Sequence, residues 1–294
     1  MKKDIKLEIY NKYGIEYDSK ANKVNAPGIG WISLPLVDGN GKIGKGVYHF
    51  STLPGKKDYH INIAFKTEKR PGKKDPGKLV TVTVIDNDNP IWVDIAGTCI
   101  CTCDGCYAMV GNYRYDTTLA YLAIRTILAR QYINWLENCI NAQIAAENIK
   151  LVRIHASGDF YGSDYIAMWQ RIAIANPGTV FWSYTKNPAA EKAFDNIANC
   201  NIVKSMIPTI GKNYGTCKYI MDTYAFLKSL NKSVYICRCG IDDNQHCVNC
   251  KGCSKHDYVL FIEHSTSYNA KKDPLYPAIK ALIDSQDIEI ANSK

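Results

Sequence analysis

The sequence lacks any long hydrophobic run, low-complexity tract or internal repeat. No stretch approaches the roughly 18 apolar residues that span a bilayer. The first residues, Met1 to Asp4, turn polar before a signal-peptide core could form. We therefore expect a cytoplasmic protein without membrane contact. A hydrophobic content of 46% over 294 residues excludes disorder as the main state and allows one large domain or two small ones.

The sequence has only a modest excess of positive charge, with a formal net charge of +8. Much of this charge lies in a Lys-rich segment, residues 66–78, which is interrupted by Pro and Gly. Such a composition is typical of a solvated, mobile loop, and a nucleic-acid contact is the alternative. Basic charge alone therefore identifies no partner.

The hydrophobic pattern changes near residue 90. Residues 1–89 predict a β-rich N-terminal extension of short strands. From residue 90 onward, a strand at 91–95 and a long helix at 117–148 open an alternating series. Its further strands are predicted at 151–154, 180–184, 202–206, 234–236 and 259–262, and its further helices at 163–175, 188–198 and 214–230. Parallel pairing with right-handed crossovers follows, so the predicted fold is α/β, a partial (βα)6 parallel barrel over residues 90–294.

Cysteine is abundant, and nine of the twelve residues fall into two tight groups, at 99–106 and 237–253. In a chain of this size such grouping indicates metal binding, because disulfide scaffolds are typical of small secreted proteins. The other three, Cys139, Cys200 and Cys217, are expected to be ordinary thiols.

The first group contains Cys99, Cys103 and Cys106 in the spacing C-x3-C-x2-C. Three thiolates on one 4Fe-4S cluster, which normally takes four, would leave one iron open to a small molecule. Cys101 leaves an alternative, since four thiolates could instead close a zinc or iron-sulfur site. In an extended stretch Cys101 points away from its two neighbours, which favours the open cluster.

These residues resemble the hallmark motif of the radical SAM superfamily, where C-x3-C-x2-C follows the first barrel strand, often with an aromatic residue beside the last cysteine. Tyr107 supplies an aromatic residue here. The resemblance implies that the cluster binds S-adenosylmethionine (SAM). One electron from a reducing donor would then cleave SAM to a 5'-deoxyadenosyl radical that abstracts a substrate hydrogen. From about residue 40 to 265, the chain also resembles the phage "gene product 88" family.

A second motif, Ser157-Gly158-Asp159, follows the predicted strand at 151–154. In parallel α/β folds the chemistry lies at the carboxyl ends of the strands. The motif resembles the Gly-Gly-Glu of the same superfamily, which holds the amino group of SAM, with Ser157 in place of the first Gly and Asp159 in place of the Glu. Alternatively, Asp159 only caps backbone amides in a tight turn.

The second cysteine group has the spacing C-x-C-x7-C-x2-C-x2-C, which places five cysteines within the 17 positions 237–253. We expect Cys239, Cys247, Cys250 and Cys253 to be metal ligands, with Cys237 as a fifth thiol of undecided role. This spacing suits a ferredoxin-type cluster and tetrahedral zinc equally, so an auxiliary 4Fe-4S cluster and zinc both stay open.

The sequence thus predicts a radical SAM enzyme with a 4Fe-4S cluster, SAM and a second metal centre. Its partners would be a reducing electron donor and an unknown substrate, for which nucleic acid, peptide and small molecule remain open. Two alternatives stand beside this prediction. One is a zinc-stabilised nucleic-acid-binding protein of a phage or mobile element, and the other is an iron-sulfur protein that transfers electrons without SAM.

Overall fold

The computed structural model describes residues 4–39, 43–72, 75–100, 106–205, 214–238, 247–250, 252–262 and 269–292. The strands in these ranges are β1 (Tyr17–Asp18), β2 (Lys23–Ala26), β3 (Gly30–Ser33), β4 (Val37–Asp38), β5 (Tyr48–His49), β6 (Asp58–Asn62), β7 (Phe65–Pro71), β8 (Leu79–Ile85), β9 (Trp92–Ala96), β10 (Leu151–Arg153), β11 (Val180–Thr185), β12 (Cys200–Lys204), β13 (Tyr214–Gly215), β14 (Val234–Cys237) and β15 (Tyr258–Ile262). The helices are α1 (Ile5–Lys12), α2 (Asp116–Gln131), α3 (Ile133–Glu147), α4 (Ser163–Ala175), α5 (Pro188–Ala193), α6 (Cys217–Ser229), α7 (Cys247–Cys250) and α8 (Tyr276–Asn292).

The chain divides into two compact units. Unit 1 comprises Met1–Pro35, Ser51–Ala142 and His155–Met168. Unit 2 comprises Leu36–Phe50, Gln143–Ile154 and Trp169–Lys294. Unit 1 therefore contains residues on both sides of the domain boundary that the sequence predicts between residues 89 and 90.

Unit 1 is built from antiparallel strand pairs. β1, β2 and β3 form one sheet in that order, and β7 pairs with β8 as a hairpin. β6 pairs with β9, from Asp58 opposite Ala96 to Asn62 opposite Trp92. Because the two strands run in opposite directions, this pairing brings the residues that precede β6 alongside those that follow β9.

Helix α2 anchors the segment that precedes β6. The hydroxyl of Thr126, on α2, accepts a hydrogen bond from the backbone nitrogen of Leu53 at 3.0 Å. It also donates one to the carbonyl oxygen of Leu122 at 2.8 Å, within the helix. A buried side chain thus satisfies a backbone N–H that lies outside any strand or helix.

The single helix predicted at 117–148 is interrupted at Tyr132. There the backbone leaves the helical region, with φ −132° and ψ 42°, and α3 begins at the next residue. The hydroxyl of Tyr132 lies against the backbone of Gly28, where an added Cβ would come within 2.7 Å of it. A contact distant in sequence therefore accompanies the break, and the local pattern did not predict it.

Two further expectations for unit 1 need correction. The predicted strand at 91–95, expected to open the parallel series, is β9, which pairs antiparallel with β6. The predicted loop over 67–78 is wrong for 67–71, which belongs to β7. Charged residues in β7 pair with Val and Thr of β8, as in the pair Lys69 and Thr81. The polar composition of this solvent-facing strand is therefore similar to that of a loop.

Unit 2 contains the parallel strands. One sheet has the order β12-β11-β10-β5-β4, in which β4 alone runs antiparallel to its neighbour. The second, β13-β15-β14, is entirely parallel, and α6 and α8 contribute to a buried cluster that includes residues of β14 and β15. In the described residues these are two sheets, and the partial barrel stays a prediction.

Several predicted elements of the alternating series are present. Helix α4 has the predicted bounds, and β10, β11, β14 and β15 lie within about one residue of theirs. Helix α8 was not predicted. Within the described ranges, none of the helices combines the length and hydropathy needed to cross a bilayer.

Candidate functional site

Strand β9 leads directly into the first cysteine group. Gly97 follows the strand, and a Cβ at this position would lie 2.4 Å from the carbonyl oxygen of Gly55 and 2.5 Å from that of Pro54. The backbone nitrogen of Cys99 donates to the same Gly55 oxygen at 3.0 Å. Since no side chain fits at Gly97, the approach to Cys99 depends on glycine there.

The sulfur of Cys99 also receives a hydrogen bond. The backbone nitrogen of Gly55 donates to Cys99 Sγ at 3.2 Å. A donor aimed at a cysteine sulfur favours its thiolate form, and hydrogen bonds of this kind are one of the means by which proteins tune iron-sulfur clusters. Cys99 and Cys106 are both partly exposed and neither is in a disulfide, so both sulfurs suit a ligand role.

Tyr59 lies near both described cysteines of this group. Its hydroxyl donates a 2.6 Å hydrogen bond to the carbonyl oxygen of Pro54. Burial raises the pKa of Tyr59 to about 12, and the charges of Cys99 and Cys106 contribute to the increase. Both sulfurs are therefore within electrostatic range of one hydroxyl, although Cys99 and Cys106 are seven positions apart in the sequence.

The segment 155–160 meets the segment that precedes β6. The hydroxyl of Ser157 donates to the carbonyl oxygen of Thr52 at 2.9 Å, and the backbone nitrogen of Thr52 donates to the carbonyl oxygen of Ser157 at 3.0 Å. Gly158 has φ +85°, and a Cβ there would lie 2.0 Å from the hydroxyl oxygen of Thr52 and 2.6 Å from that of Thr98. Conformation and space both require glycine at this position.

Asp159 is connected to the cysteine segment through Thr98. Its backbone nitrogen donates to Thr98 Oγ1 at 3.1 Å, and its carboxylate accepts from the backbone nitrogen of Phe160 at 2.7 Å. The side chain is buried, with 6% of its surface exposed. Thr98 directly precedes Cys99, so the two predicted motifs meet in unit 1. One carboxylate oxygen also caps the turn, as the structural alternative predicts.

His155 occupies a strained position at the start of the same segment. It is buried and has φ +62°, a conformation that costs a residue other than glycine roughly 1 to 3 kcal/mol. A ring nitrogen lies 2.8 Å from the hydroxyl of Tyr165, and the ring packs edge-on against Phe160 at 4.6 Å. These contacts hold the turn that presents Gly158 and Asp159.

Arg130 and Tyr161 also lie at this site, although no sequence motif identifies them. The guanidinium of Arg130 lies 4.8 Å from the ring centre of Tyr161. One of its nitrogens donates to the carbonyl oxygens of Ala96 and Gly97, at 3.3 and 3.2 Å. The hydroxyl of Tyr161 is buried and has no hydrogen-bond partner among the described residues. Neither residue belongs to a motif, and only the fold brings them to the cysteine segment.

The second cysteine group lies in unit 2. Four of its thiols line one pocket together with four other residues: Cys237, Cys247, Cys250 and Cys253, with Leu151, Trp182, Gly252 and Ser254. Cys239, which the sequence predicts as a ligand, lies outside the described residues, whereas Cys237 takes part in the pocket. In the ranges described, no three His, Cys, Asp or Glu side chains are arranged as a ready-made metal site.

Three other positions in or beside the first cysteine group are described only in part or not at all. Cys103 and Cys101 lie outside the described residues. Tyr107 begins a short 3₁₀ turn, Tyr107–Met109, and only its backbone is described. Cys139, Cys200 and Cys217 are buried and lie outside both cysteine groups, as expected for ordinary thiols.

Comparison with known proteins identifies the family. Residues 94–257, more than half of the chain, match the family described as "Gene product 88", and this range includes both cysteine groups and the segment 155–160. The chain belongs to this family. A relative, the Gene 88 protein of Mycobacterium phage L5, is 32% identical over 78 residues, which are 25% of this chain and 31% of the relative. The match therefore spans less than a third of that relative's length, and it associates the family with phages. No solved structure matches the chain.

Proposed function

We propose that this gene product 88 protein is a radical SAM enzyme whose 4Fe-4S cluster is held by Cys99, Cys103 and Cys106. The observation that carries the proposal is the meeting of two motifs in unit 1. The backbone of Asp159 is hydrogen-bonded to Thr98, the residue before Cys99. Residues that would bind SAM therefore pack against the segment that would bind iron.

The two described cysteines of the donor set support such a cluster. The Gly55 N–H donates to Cys99 Sγ, and the charges of Cys99 and Cys106 both act on Tyr59. Three cysteines leave one iron of a cubane without a protein ligand, which is the position a small molecule needs. Once reduced, a cluster of this kind supplies the electron that cleaves SAM.

The chain would position and protect the reactants. The backbone contacts of Gly55 would fix the orientation of the Cys99 thiolate. Gly158 would keep the second motif close to the cysteine segment, because no Cβ fits there. The carboxylate of Asp159, held in a buried turn, would accept a charge-assisted hydrogen bond from the amino group of SAM.

Anaerobic purification and reconstitution test this proposal. We expect a brown protein with bound iron and sulfide, a change in the spin-resonance signal of the reduced cluster when SAM is added, and formation of 5'-deoxyadenosine. Cys103→Ala should abolish the cluster. Cys101→Ala should largely spare it, since Cys101 lies outside the C-x3-C-x2-C spacing, and Cys139→Ala serves as a buried control outside both groups. Equal loss of iron in the Cys101 and Cys103 variants would mean a closed site.

Two other outcomes would support the alternatives. A reconstituted cluster that does not respond to SAM would favour an iron-sulfur protein that only transfers electrons. A colourless protein with bound zinc would favour a nucleic-acid-binding protein, for which the hairpin of β7 and β8 is the supporting observation. Two-stranded ribbons of this kind fit the major groove of DNA, and Lys69, Arg70 and Lys78 are exposed on the hairpin. An ion pair of Arg70 with Glu68 reduces its net charge.

A further inference from the structure

The carboxyl-terminal cysteines of unit 2 converge on one pocket. Cys247 and Cys250 bound the single-turn helix α7, and Cys253 follows in a 3₁₀ turn, Gly252–Ser254. The three cysteines are therefore spaced every three residues along α7 and this 3₁₀ turn, together the cysteine turn, which favours placement of their sulfurs on one side. Cys237, the last residue of β14, lines the same pocket.

Strand geometry accounts for the position of Cys237. Side chains two residues apart in a strand point to the same face, so Cys237 shares a face of β14 with Tyr235. The hydroxyl oxygen of Tyr235 lies 3.1 Å from Cys250 Sγ. The face of β14 that carries Cys237 is thus the face that contacts the cysteine turn, and only 4% of the surface of Cys237 is exposed.

The cysteine turn is fixed by tight packing and by hydrogen bonds. A Cβ at Gly252 would come within 2.3 Å of the ring of Tyr235, so the ring lies directly on the backbone of the turn. The side-chain amide of Asn201, on β12, donates to the carbonyl oxygens of Cys253 and His256 at 2.7 and 2.9 Å. Contacts from two strands therefore determine the position of the cysteines.

Two tyrosine hydroxyls contact the sulfurs. Tyr184 donates to Cys253 Sγ at 2.6 Å, and Tyr235 lies within hydrogen-bond distance of Cys250 Sγ. Donors of this kind orient metal-bound thiolates and stabilise their charge. Buried thiols that served only for packing would not need hydroxyl partners, because a thiol behaves as a small hydrophobic group.

From this arrangement we infer that Cys237, Cys247, Cys250 and Cys253 form a closed four-thiolate metal centre, with Cys237 rather than Cys239 as the fourth ligand. In the described residues the sulfurs are not arranged as a ready-made metal site, so metal binding would require them to approach one another across the pocket. The hydroxyls of Tyr184 and Tyr235, which already lie against Cys253 and Cys250, would then donate to the bound thiolates.

A closed centre has a defined chemical role. Four thiolates fill the tetrahedral coordination of one zinc ion, or the four corners of one 4Fe-4S cluster, and leave no position for a substrate. The centre is therefore structural or carries electrons. It lies in unit 2 and is independent of the SAM chemistry proposed for unit 1.

The test removes the first group so that only the second can bind metal. In a protein that carries Cys99→Ala, Cys103→Ala and Cys106→Ala, we expect metal analysis to find either zinc alone or iron with equal sulfide, which separates the two metals. Adding Cys237→Ser should abolish this metal, whereas Cys239→Ser should retain it. Cys217→Ser, a buried cysteine of α6, is the matched control and should also retain it.

A second measurement tests the assignment even if the Cys237 variant fails to fold. X-ray absorption at the metal edge of the Cys239→Ser protein should find four sulfur ligands, at about 2.3 Å for zinc. Loss of metal in Cys239→Ser, or a shell of fewer than four sulfurs, would overturn the assignment. Folded triple-alanine protein without any metal would overturn the centre itself, whatever the outcome for SAM.

Discussion

Thr98 Oγ1 lies 3.1 Å from the backbone nitrogen of Asp159 and accepts a hydrogen bond from it. The same oxygen lies 2.8 Å from the hydroxyl oxygen of Thr52 and 3.0 Å from the carbonyl oxygen of Leu53. One buried hydroxyl therefore joins three segments of unit 1: the one before β6, the one after β9 and the one that holds the second motif. Removal of this hydroxyl should therefore weaken the contacts among all three segments.

Replacing Thr98 with Val tests this connection. The substitution keeps the shape and removes the oxygen, so the buried N–H of Asp159 loses its partner, which costs about 1 to 3 kcal/mol. We expect the free energy of unfolding, measured with urea, to fall by that amount. Thr81→Val, at an exposed position of β8, is the matched control and should stay within about 0.5 kcal/mol of the wild type. Similar values for the two variants would contradict the role of Thr98.

Gly158→Ala should destabilise the protein more strongly than an ordinary substitution in a loop. A Cβ there would lie 2.0 Å from the hydroxyl oxygen of Thr52, and the φ of +85° disfavours any side chain. We expect a loss of more than about 1 kcal/mol in the free energy of unfolding. Gly162→Ala is the control in the same segment, since no heavy atom lies within 4 Å of its added Cβ. Chemical denaturation of both variants gives the comparison, and equal stability would show that the turn rearranges at little cost.

The sequence predicted local elements better than pairings. Side chains alternate along a strand, so neighbouring Ser183 and Tyr184 of β11 are expected on opposite faces. Their contacts differ accordingly: Ser183 donates to the carbonyl oxygen of Ile154, and Tyr184 donates to Cys253. The period of a strand is a local property, so a single sequence contains it. The pairing of β9 with β6 depends on which distant segment is available, and no pattern within residues 91–95 encodes that choice.

The candidate sites show the same division. Cysteine spacing identified both groups as candidates, because close spacing is a local pattern that a single sequence contains. The choice of Cys237 over Cys239 rests on the face of β14 that meets the cysteine turn, which depends on packing against Gly252. Arg130 was predicted only as part of a helix. Its contacts with Gly97 and Tyr161 follow from the tertiary fold.

Asp159→Asn separates a SAM-binding role from a capping role. Asn keeps the shape and can still accept from the backbone nitrogen of Phe160, so the turn should persist. Loss of the negative charge should weaken a charge-assisted hydrogen bond to the amino group of SAM by about 1.5 to 3 kcal/mol. SAM affinity would then fall roughly 10- to 100-fold with the cluster intact. Titration of SAM into both reduced proteins measures this, and unchanged affinity would leave Asp159 with the capping role alone.

Two stacked tyrosines, Tyr161 and Tyr165, allow a final comparison. Their ring centres are 4.7 Å apart, but only Tyr165 has a hydrogen-bonded hydroxyl in the described structure, through His155. The hydroxyl of Tyr161 is buried without a partner there, and such a group costs about 1 to 3 kcal/mol. Tyr161→Phe should therefore leave the stability of the ligand-free protein unchanged or raise it, whereas Tyr165→Phe should lower it.

The two variants should also differ when a ligand is present. Tyr161 lies beside Arg130, which is hydrogen-bonded to the carbonyl oxygen of Gly97, two residues before Cys99. A ligand with a polar group at this site could therefore use the Tyr161 hydroxyl. If it does, added SAM should raise the melting temperature of the wild type more than that of Tyr161→Phe, because at a given ligand concentration tighter binding stabilises the native state more. Thermal unfolding of reduced wild type and both variants, with and without SAM, provides the measurement. Equal SAM-induced shifts in wild type and Tyr161→Phe would exclude a contact between the Tyr161 hydroxyl and SAM. If Tyr161→Phe lost as much ligand-free stability as Tyr165→Phe, the Tyr161 hydroxyl would already be hydrogen-bonded within the protein.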